Sequence, residues 1–116
     1  MIYPQEIELH YILPALRREY TVCLKQMGLD QKRIASLLRV TEPAISQYVS
    51  NKRAQLVKFT PKMKKEIQDS ARRLAQSKDI LGETQNILDL SRKEGVTCDI
   101  HCKLAQVEAG CNACRL

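Results

Sequence analysis

The chain has few aromatic side chains, and this scarcity is the first constraint on its core. It contains no tryptophan and one phenylalanine, and aromatic residues make up only 4% of its 116 residues. With so few rings, we expect a core assembled mainly from aliphatic side chains. Leucine, alanine, glutamine, lysine, arginine and glutamate dominate the composition, and all of them favour helices. We therefore expect an all-α fold.

Long apolar runs are also missing. No window approaches the roughly 18 consecutive apolar residues of a membrane span. The N-terminus carries Glu6 and Glu8 instead of the basic start and apolar stretch of a signal peptide. We therefore expect a cytoplasmic protein. A chain of 116 residues can bury one modest core, so a large multi-lobed enzyme is excluded.

Acidic residues are absent from one stretch of a chain whose net charge is +6. From Pro43 to Lys65 there is no aspartate or glutamate. The basic residues of this stretch are Lys52, Arg53, Lys58, Lys62, Lys64 and Lys65. A run of charges alone is usually a solvated face. Because this run follows directly on a two-helix motif, we interpret it as a surface that attracts phosphates.

Apolar residues recur at helical spacing in five segments. The spacing and the start and stop signals predict helices over 14–27, 31–38, 41–50, 60–75 and 78–93. Pro14 and Pro61 suit the first position of a helix, and Gly95 suits a helix end. Cys23 lies on the apolar stripe of the first helix, so we interpret it as a small buried hydrophobe. In the third helix we expect Ile45, Val49 and the ring of Tyr48 to face inward.

The fourth predicted helix has a continuous apolar stripe. Its residues are Met63, Ile67, Ala71, Leu74 and Ala75. A small N-terminal core is not expected to cover this stripe and that of the fifth helix completely. We therefore predict a homodimer, with residues 1–58 as a DNA-binding domain, 59–94 as a helical dimerisation region and 95–116 as a cysteine cluster.

Residues 31–50, QKRIASLLRVTEPAISQYVS, have the layout of a helix-turn-helix. Only Arg39 to Thr41 separate the two helices, and the small Ala35 lies where the helices must cross closely. Thr41 suits an N-cap. A helical hairpin used for protein contacts is the alternative interpretation.

The segment resembles the lambda-repressor-like (XRE-type) helix-turn-helix family. The similarity is closest to its archaeal branch, on Leu13 to Arg17 (LPALR) and on Val40 to Arg53 (VTEPAISQYVSNKR). It covers the first half of the chain strongly and the later helices only loosely. The resemblance implies a transcription regulator of double-stranded DNA. One position departs from the family, since Arg39 stands where its turn usually has glycine, so the turn is either remodelled or mildly strained.

The resemblance implies which side chains contact DNA. By it, Glu42, Pro43, Ser46 and Gln47 on the third helix reach base edges. Gln47 can pair with adenine, Glu42 can accept from cytosine, and Pro43 can touch a thymine methyl. Thr41, which begins the same helix, is also expected to contact DNA. The residues expected to contact phosphates are Gln31, Ser50, Asn51, Lys52 and Arg53.

Four of the five cysteines are clustered at the C-terminus. Cys98 and Cys102 are separated by three residues, and Cys111 and Cys114 by two. Both spacings bring sulfurs together, and four thiolates suit an iron–sulfur cluster or zinc. The span is short for a zinc ribbon, and the resemblance implies a sensor, so we favour an iron–sulfur cluster, either 4Fe–4S or 2Fe–2S. Zinc or free thiols are the alternatives. His101 is read as exposed or as a neighbour of the site.

The sequence thus predicts a regulator whose DNA binding responds to the state of a cluster, as in redox or iron–sulfur sensing. The alternative is a constitutive DNA-binding or antitoxin-like adaptor with a structural zinc site. The chain has only two histidines, no phosphate loop and no Ser/His/Asp arrangement, so we expect no enzyme activity and no small-molecule substrate.

Overall fold

The computed structural model describes residues 3–105, with the backbone alone for Pro4, Arg53 and 101–105. All regular structure in that range is helical, so the all-α prediction is confirmed for it. The elements are α1 (Pro4–Ile7), a π-helical segment (Glu8–Ile12), α2 (Leu13–Gln26), α3 (Gln31–Leu38), α4 (Glu42–Ser50), α5 (Lys52–Gln55), α6 (Pro61–Ser77), α7 (Ile80–Lys93) and α8 (Val96–Ala105). Over the described range, no helix is both long and apolar enough to cross a membrane.

The first helix begins earlier than predicted. The backbone is already helical from Pro4 and runs through a π turn into α2, so Pro14 lies inside the helix. Proline has no N–H, and its ring crowds the carbonyl four residues earlier. The π turn directly before it, where the Leu13 N–H bonds to the Glu8 carbonyl, lets the helix continue. Pro14 suits the first position of a helix, but the helical backbone begins at Pro4, so the predicted start of the first helix is wrong.

The apolar stripe of α6 is covered within the chain. Met63, Ile67, Ala71 and Leu74 are all buried, and α6 packs along α2. A single buried cluster joins side chains from α2, α3 and α4 to those of α6, α7 and α8. The expectation of an uncovered stripe is therefore wrong for α6. The stripe of α7 is covered only in part, since Leu81 is 69% exposed, and the homodimer stays a prediction.

The chain forms a further helix after Gly95, in the segment predicted to hold the cysteine cluster. Gly95 has φ 76°, and α8 follows it at once. Val96 and Ile100 are buried, and α8 packs on α1 and α7. The Arg92 guanidinium donates to Glu8, with Nη2 at 2.8 Å from Oε2, and this ion pair also ties α7 to the N-terminal helix.

A buried polar network joins α2, α6 and α7. The Tyr20 hydroxyl lies 2.7 Å from the Ser70 hydroxyl, which donates to Glu83 Oε1 at 2.6 Å. Glu83 also accepts from Arg73, whose Nη2 lies at 3.0 Å. Burial raises the pKa of Tyr20 to about 12, so its phenol stays neutral. Burial alone raises the pKa of Glu83, but the hydrogen bonds from Arg73 and Ser70 outweigh it, so the pKa lies below its ordinary value.

The lowered pKa of Glu83 predicts a loss of stability in acid. Stability from the ionised carboxylate is present above its unfolded pKa and is lost as the pH falls through the lower folded pKa. We expect Glu83→Gln to be less stable than the wild type at pH 7, and the difference to shrink between about pH 5 and pH 3. Urea unfolding at several pH values measures it. A difference that stays constant with pH would contradict this role of Glu83.

Candidate nucleic-acid interface

Side-chain caps fix where the two helices of the candidate interface begin. Asp30 Oδ1 accepts from the Arg33 N–H at 2.8 Å at the start of α3. Thr41 Oγ1 accepts from the Ala44 N–H at 3.3 Å at the start of α4. These bonds satisfy N–H groups that have no partner inside the helix. The predicted bounds of α3 and the N-cap role of Thr41 agree with the structure.

The turn between α3 and α4 contains a left-handed arginine. Arg39 has φ 56° and ψ 45°, and the Val40 N–H bonds back to the Ala35 carbonyl at 3.0 Å. A side chain with a Cβ costs about 1–2 kcal/mol in this conformation, whereas glycine adopts it freely. Of the two alternatives for this turn, the strained one is therefore the one observed.

Relief of this strain should be measurable. We expect Arg39→Gly to raise the free energy of unfolding by about 0.5–1 kcal/mol, because part of the relief is offset by glycine's greater entropy in the unfolded chain. Chemical denaturation measures the change. Arg39→Ala, which keeps a Cβ, serves as the control and should bring no such gain. If both variants lost stability equally, contacts of the arginine side chain would outweigh the strain.

Gln31 joins the two helices directly. Its Nε2 donates to the Glu42 carbonyl at 2.9 Å and to Ser46 Oγ at 3.2 Å. Since Ser46 accepts this bond, its own hydroxyl hydrogen remains available to another acceptor. Gln31 therefore holds the first turns of α4 against the start of α3.

The two faces of α4 differ sharply. Ile45 is fully buried, and Ala44 and Tyr48 are half-buried. The exposed residues include the predicted base contacts and one phosphate contact, namely Glu42, Pro43, Ser46, Gln47 and Ser50. Val49 is 39% exposed, so the expectation that it faces inward is wrong. α4 is thus held to the core mainly by one side chain and presents a polar face.

A cation–π contact supports α4 from the side of α2. The Arg17 guanidinium carbon lies 5.5 Å from the centroid of the Tyr48 ring. Such a contact orients an arginine and a ring that are both half-buried. Arg17 could not be identified as part of this interface from the sequence, because its partner Tyr48 lies 31 residues later, on a different helix.

The segment after α4 turns into the short helix α5. Asn51 Oδ1 accepts from the Ala54 N–H at 3.2 Å, so its side chain caps α5. Ser50 Oγ donates to the Ser46 carbonyl at 3.3 Å. Lys52 is exposed, and of Arg53 only the backbone is described. Lys62 lies further along the same acid-free stretch. Its Nζ lies 3.4 Å from Glu94 Oε1, so its charge is partly neutralised.

The cysteine cluster lies mostly outside the described residues. Cys98 is 6% exposed, on the face of α8 that enters the core. Cys102 lies one helical turn later by its backbone, so α8 fits a paired ligand arrangement as far as it is described. Cys111 and Cys114 lie beyond residue 105. The described side chains contain no group of three or more potential metal ligands.

Cys23 is half-buried and packs against the core, in line with its interpretation as a hydrophobe. Burial, with a smaller effect of Glu19, raises the pKa of its thiol.

Comparison with known proteins yields no relative. No family model, curated protein or solved structure matches the chain.

Proposed function

We propose that the chain is a sequence-specific DNA-binding transcription regulator, with α3, the turn at Arg39 and α4 forming an XRE-type helix-turn-helix. The observation that carries the proposal is the polar, exposed face of α4, with Gln47 at its centre. A helix with one buried anchor and an exposed polar face has the shape needed to enter a major groove. The resemblance of the motif to that family supports the same assignment.

The contacts divide into base contacts and phosphate contacts. Gln47, Glu42 and Pro43 contact base edges, and Ser46 offers its hydroxyl hydrogen beside them. Lys52 and Arg53 contact phosphates by charge, and Ser50 and Asn51 lie at the same end of α4. Gln31 holds α4 in register, because both of its Nε2 hydrogens bond to the Glu42 carbonyl and Ser46 Oγ. A phosphate contact from Gln31 has to replace one of these two bonds.

Two substitutions distinguish these roles. Gln47→Ala should relax the base preference at one position and cost about 1–3 kcal/mol of binding free energy on the preferred duplex. Lys52→Ala should weaken binding to all duplexes alike and reduce the salt dependence. Fluorescence anisotropy with duplexes carrying single base changes, at two salt concentrations, measures both.

Lys25→Ala is the matched control, because Lys25 is exposed near the end of α2 and has no assigned role. It should bind like the wild type. If Gln47→Ala and Lys52→Ala also bound every duplex like the wild type, α4 would not be the recognition helix.

We further propose that Cys98, Cys102, Cys111 and Cys114 hold an iron–sulfur cluster that modulates DNA binding. A bound cluster would supply a centre sensitive to oxidation or iron supply. The burial of Cys98 among core helices also suits the alternative, a constitutive adaptor with a structural zinc site. Anaerobic purification decides between them: a visible spectrum with iron indicates the cluster, and a colourless protein with zinc indicates the adaptor.

The regulator is proposed to act as a homodimer. Two recognition helices about 34 Å apart match two half-sites that lie one turn of the DNA apart. A small rotation of the subunits would change the distance between the two helices. Light scattering should give twice the chain mass of 13.3 kDa. A strict monomer, also with DNA present, would remove the half-site mechanism.

A further inference from the structure

A groove on the outer side of α3 is separate from the exposed face of α4 that is proposed to contact DNA. It has a volume of about 270 Å³ and is lined by Arg33, Ser36, Leu37, Arg39 and Lys78. It lies where the turn after α3 meets the end of α6, since Lys78 is the residue that ends α6. Leu37 is its buried floor, and the other four side chains are exposed.

The groove faces away from α4. Gln31 points toward α4, where it bonds to Ser46. In a helix of about 3.6 residues per turn, Arg33 lies about 200° and Ser36 about 140° around the axis from Gln31. A ligand in the groove would therefore leave the face of α4 open.

The charge of the groove has one sign. Three cations and a hydroxyl line it, and no carboxylate does so within the described part of the chain. The carboxylates of Asp30 and Asp79 cap helices: Asp30 accepts from the Arg33 backbone N–H, and Asp79 accepts from the Gly82 N–H at 3.0 Å. Glu42 lies on α4 and does not line the groove. The three side chains thus form a positive site without an internal counter-ion in residues 3–105.

Backbone strain supports a role for these cations. Arg39 with φ 56° and Lys78 with φ 59° are the non-glycine residues at positive φ in residues 3–105, and both line this groove. Glycine or asparagine would occupy either helix end at lower cost. Residues held in strained backbone conformations cluster at functional sites.

We propose that this groove binds a phosphoryl group. Two guanidinium groups provide forked N–H donors, Lys78 provides an ammonium, and Ser36 provides a hydroxyl, which together match the oxygens of a phosphate. The volume suits one phosphoryl group with its immediate neighbours. The phosphate is carried either by a small phosphorylated ligand or by a nucleic-acid backbone beside the reading site. The nucleic-acid source rests on the proposed function, whereas the small-ligand source does not.

The test uses the full chain and inorganic phosphate, followed by ¹H–¹⁵N NMR. Saturable shifts should centre on residues 33–39 and 77–79. Arg39→Asn and Lys78→Asn remove a cation each and keep a residue that tolerates the left-handed conformation, so the fold is retained. Each should weaken phosphate binding about two- to fivefold, and the pair more, while Lys25→Gln should leave it unchanged.

A short DNA duplex then identifies the source of the phosphate. If the duplex competes with phosphate for the groove, the backbone supplies the group. If it shifts α4 alone and phosphate still binds, the group comes from a small ligand. Absence of saturable shifts at the groove, or equal weakening by Lys25→Gln and the groove variants, would overturn the proposal. The base preference of Gln47→Ala is measured separately and tests only whether α4 is the recognition helix.

Discussion

Replacing Ile45 by alanine is expected to destabilise the protein by about 2–4 kcal/mol and to abolish sequence-specific DNA binding. Ile45 is the fully buried side chain of α4 and belongs to the core cluster. Its truncation removes apolar contacts and leaves a cavity, which accounts for a cost of this size. The remaining attachments of α4, from Gln31 and Arg17, lie near the surface and are individually weak.

Val49→Ala is the matched control for this prediction. Val49 lies on the same helix and is also β-branched, but its side chain is 39% exposed. Its truncation should change stability by less than about 0.5 kcal/mol. Urea denaturation compares the two variants. If Val49→Ala were as destabilising as Ile45→Ala, the orientation of α4 would differ from the one described.

Replacing any one of the four clustered cysteines by serine is expected to strip the proposed metal centre. A hydroxyl is a poor substitute for a soft thiolate, so Cys98→Ser, Cys102→Ser, Cys111→Ser and Cys114→Ser should each lose metal. Metal analysis and the visible spectrum of anaerobically purified protein measure this. Cys98→Ser should also lower stability, since the residue is buried in α8.

Cys23→Ser is the control, because Cys23 packs on the core from α2. It should keep the metal and lose about 1 kcal/mol of stability at most. Retention of metal by one of the four variants, with its loss in Cys23→Ser, would show that the ligand set is misassigned.

The elements that the sequence predicted well have local signals at both ends. α3 and α4 are separated by three residues, and α6 begins at the Thr60–Pro61 signal, where Thr60 accepts from the Met63 N–H at 3.2 Å. Caps of this kind act within four residues, so they can be found in a single sequence. Gly82 in the first turn of α7 allows a close cap, since a Cβ there would collide with the Asp79 carboxylate that caps the helix.

The features that the sequence did not reveal depend on contacts between distant segments. The π turn before Pro14 is stabilised within a helix whose apolar residues Ile7 and Tyr11 pack into the core. The helical state of Val96–Ala105 depends on packing against α1 and α7. Which of Ile45 and Val49 is buried depends on the rotation of α4, and both residues suit a core equally well by type.

The candidate site residues divide in the same way: some follow from their position in a helix, and others depend on contacts between helices. The exposure of Gln47 and the capping by Thr41 follow from helix position alone, whereas the bridge from Gln31 to Ser46 requires the crossing of α3 and α4. Asn51 was assigned to phosphate, and its side chain is found capping α5, a helix too short for its periodicity to be recognised.

Selection of duplexes from a random pool tests the central claim most directly. The wild type should enrich a defined sequence with two half-sites, and Gln47→Ala should lose preference at one position of each half-site while keeping the rest. Lys25→Ala should enrich the same sequence as the wild type. A wild-type protein that enriches no sequence, or a Gln47→Ala variant that enriches the same sequence as the wild type, would contradict the assignment of α4 as the recognition helix.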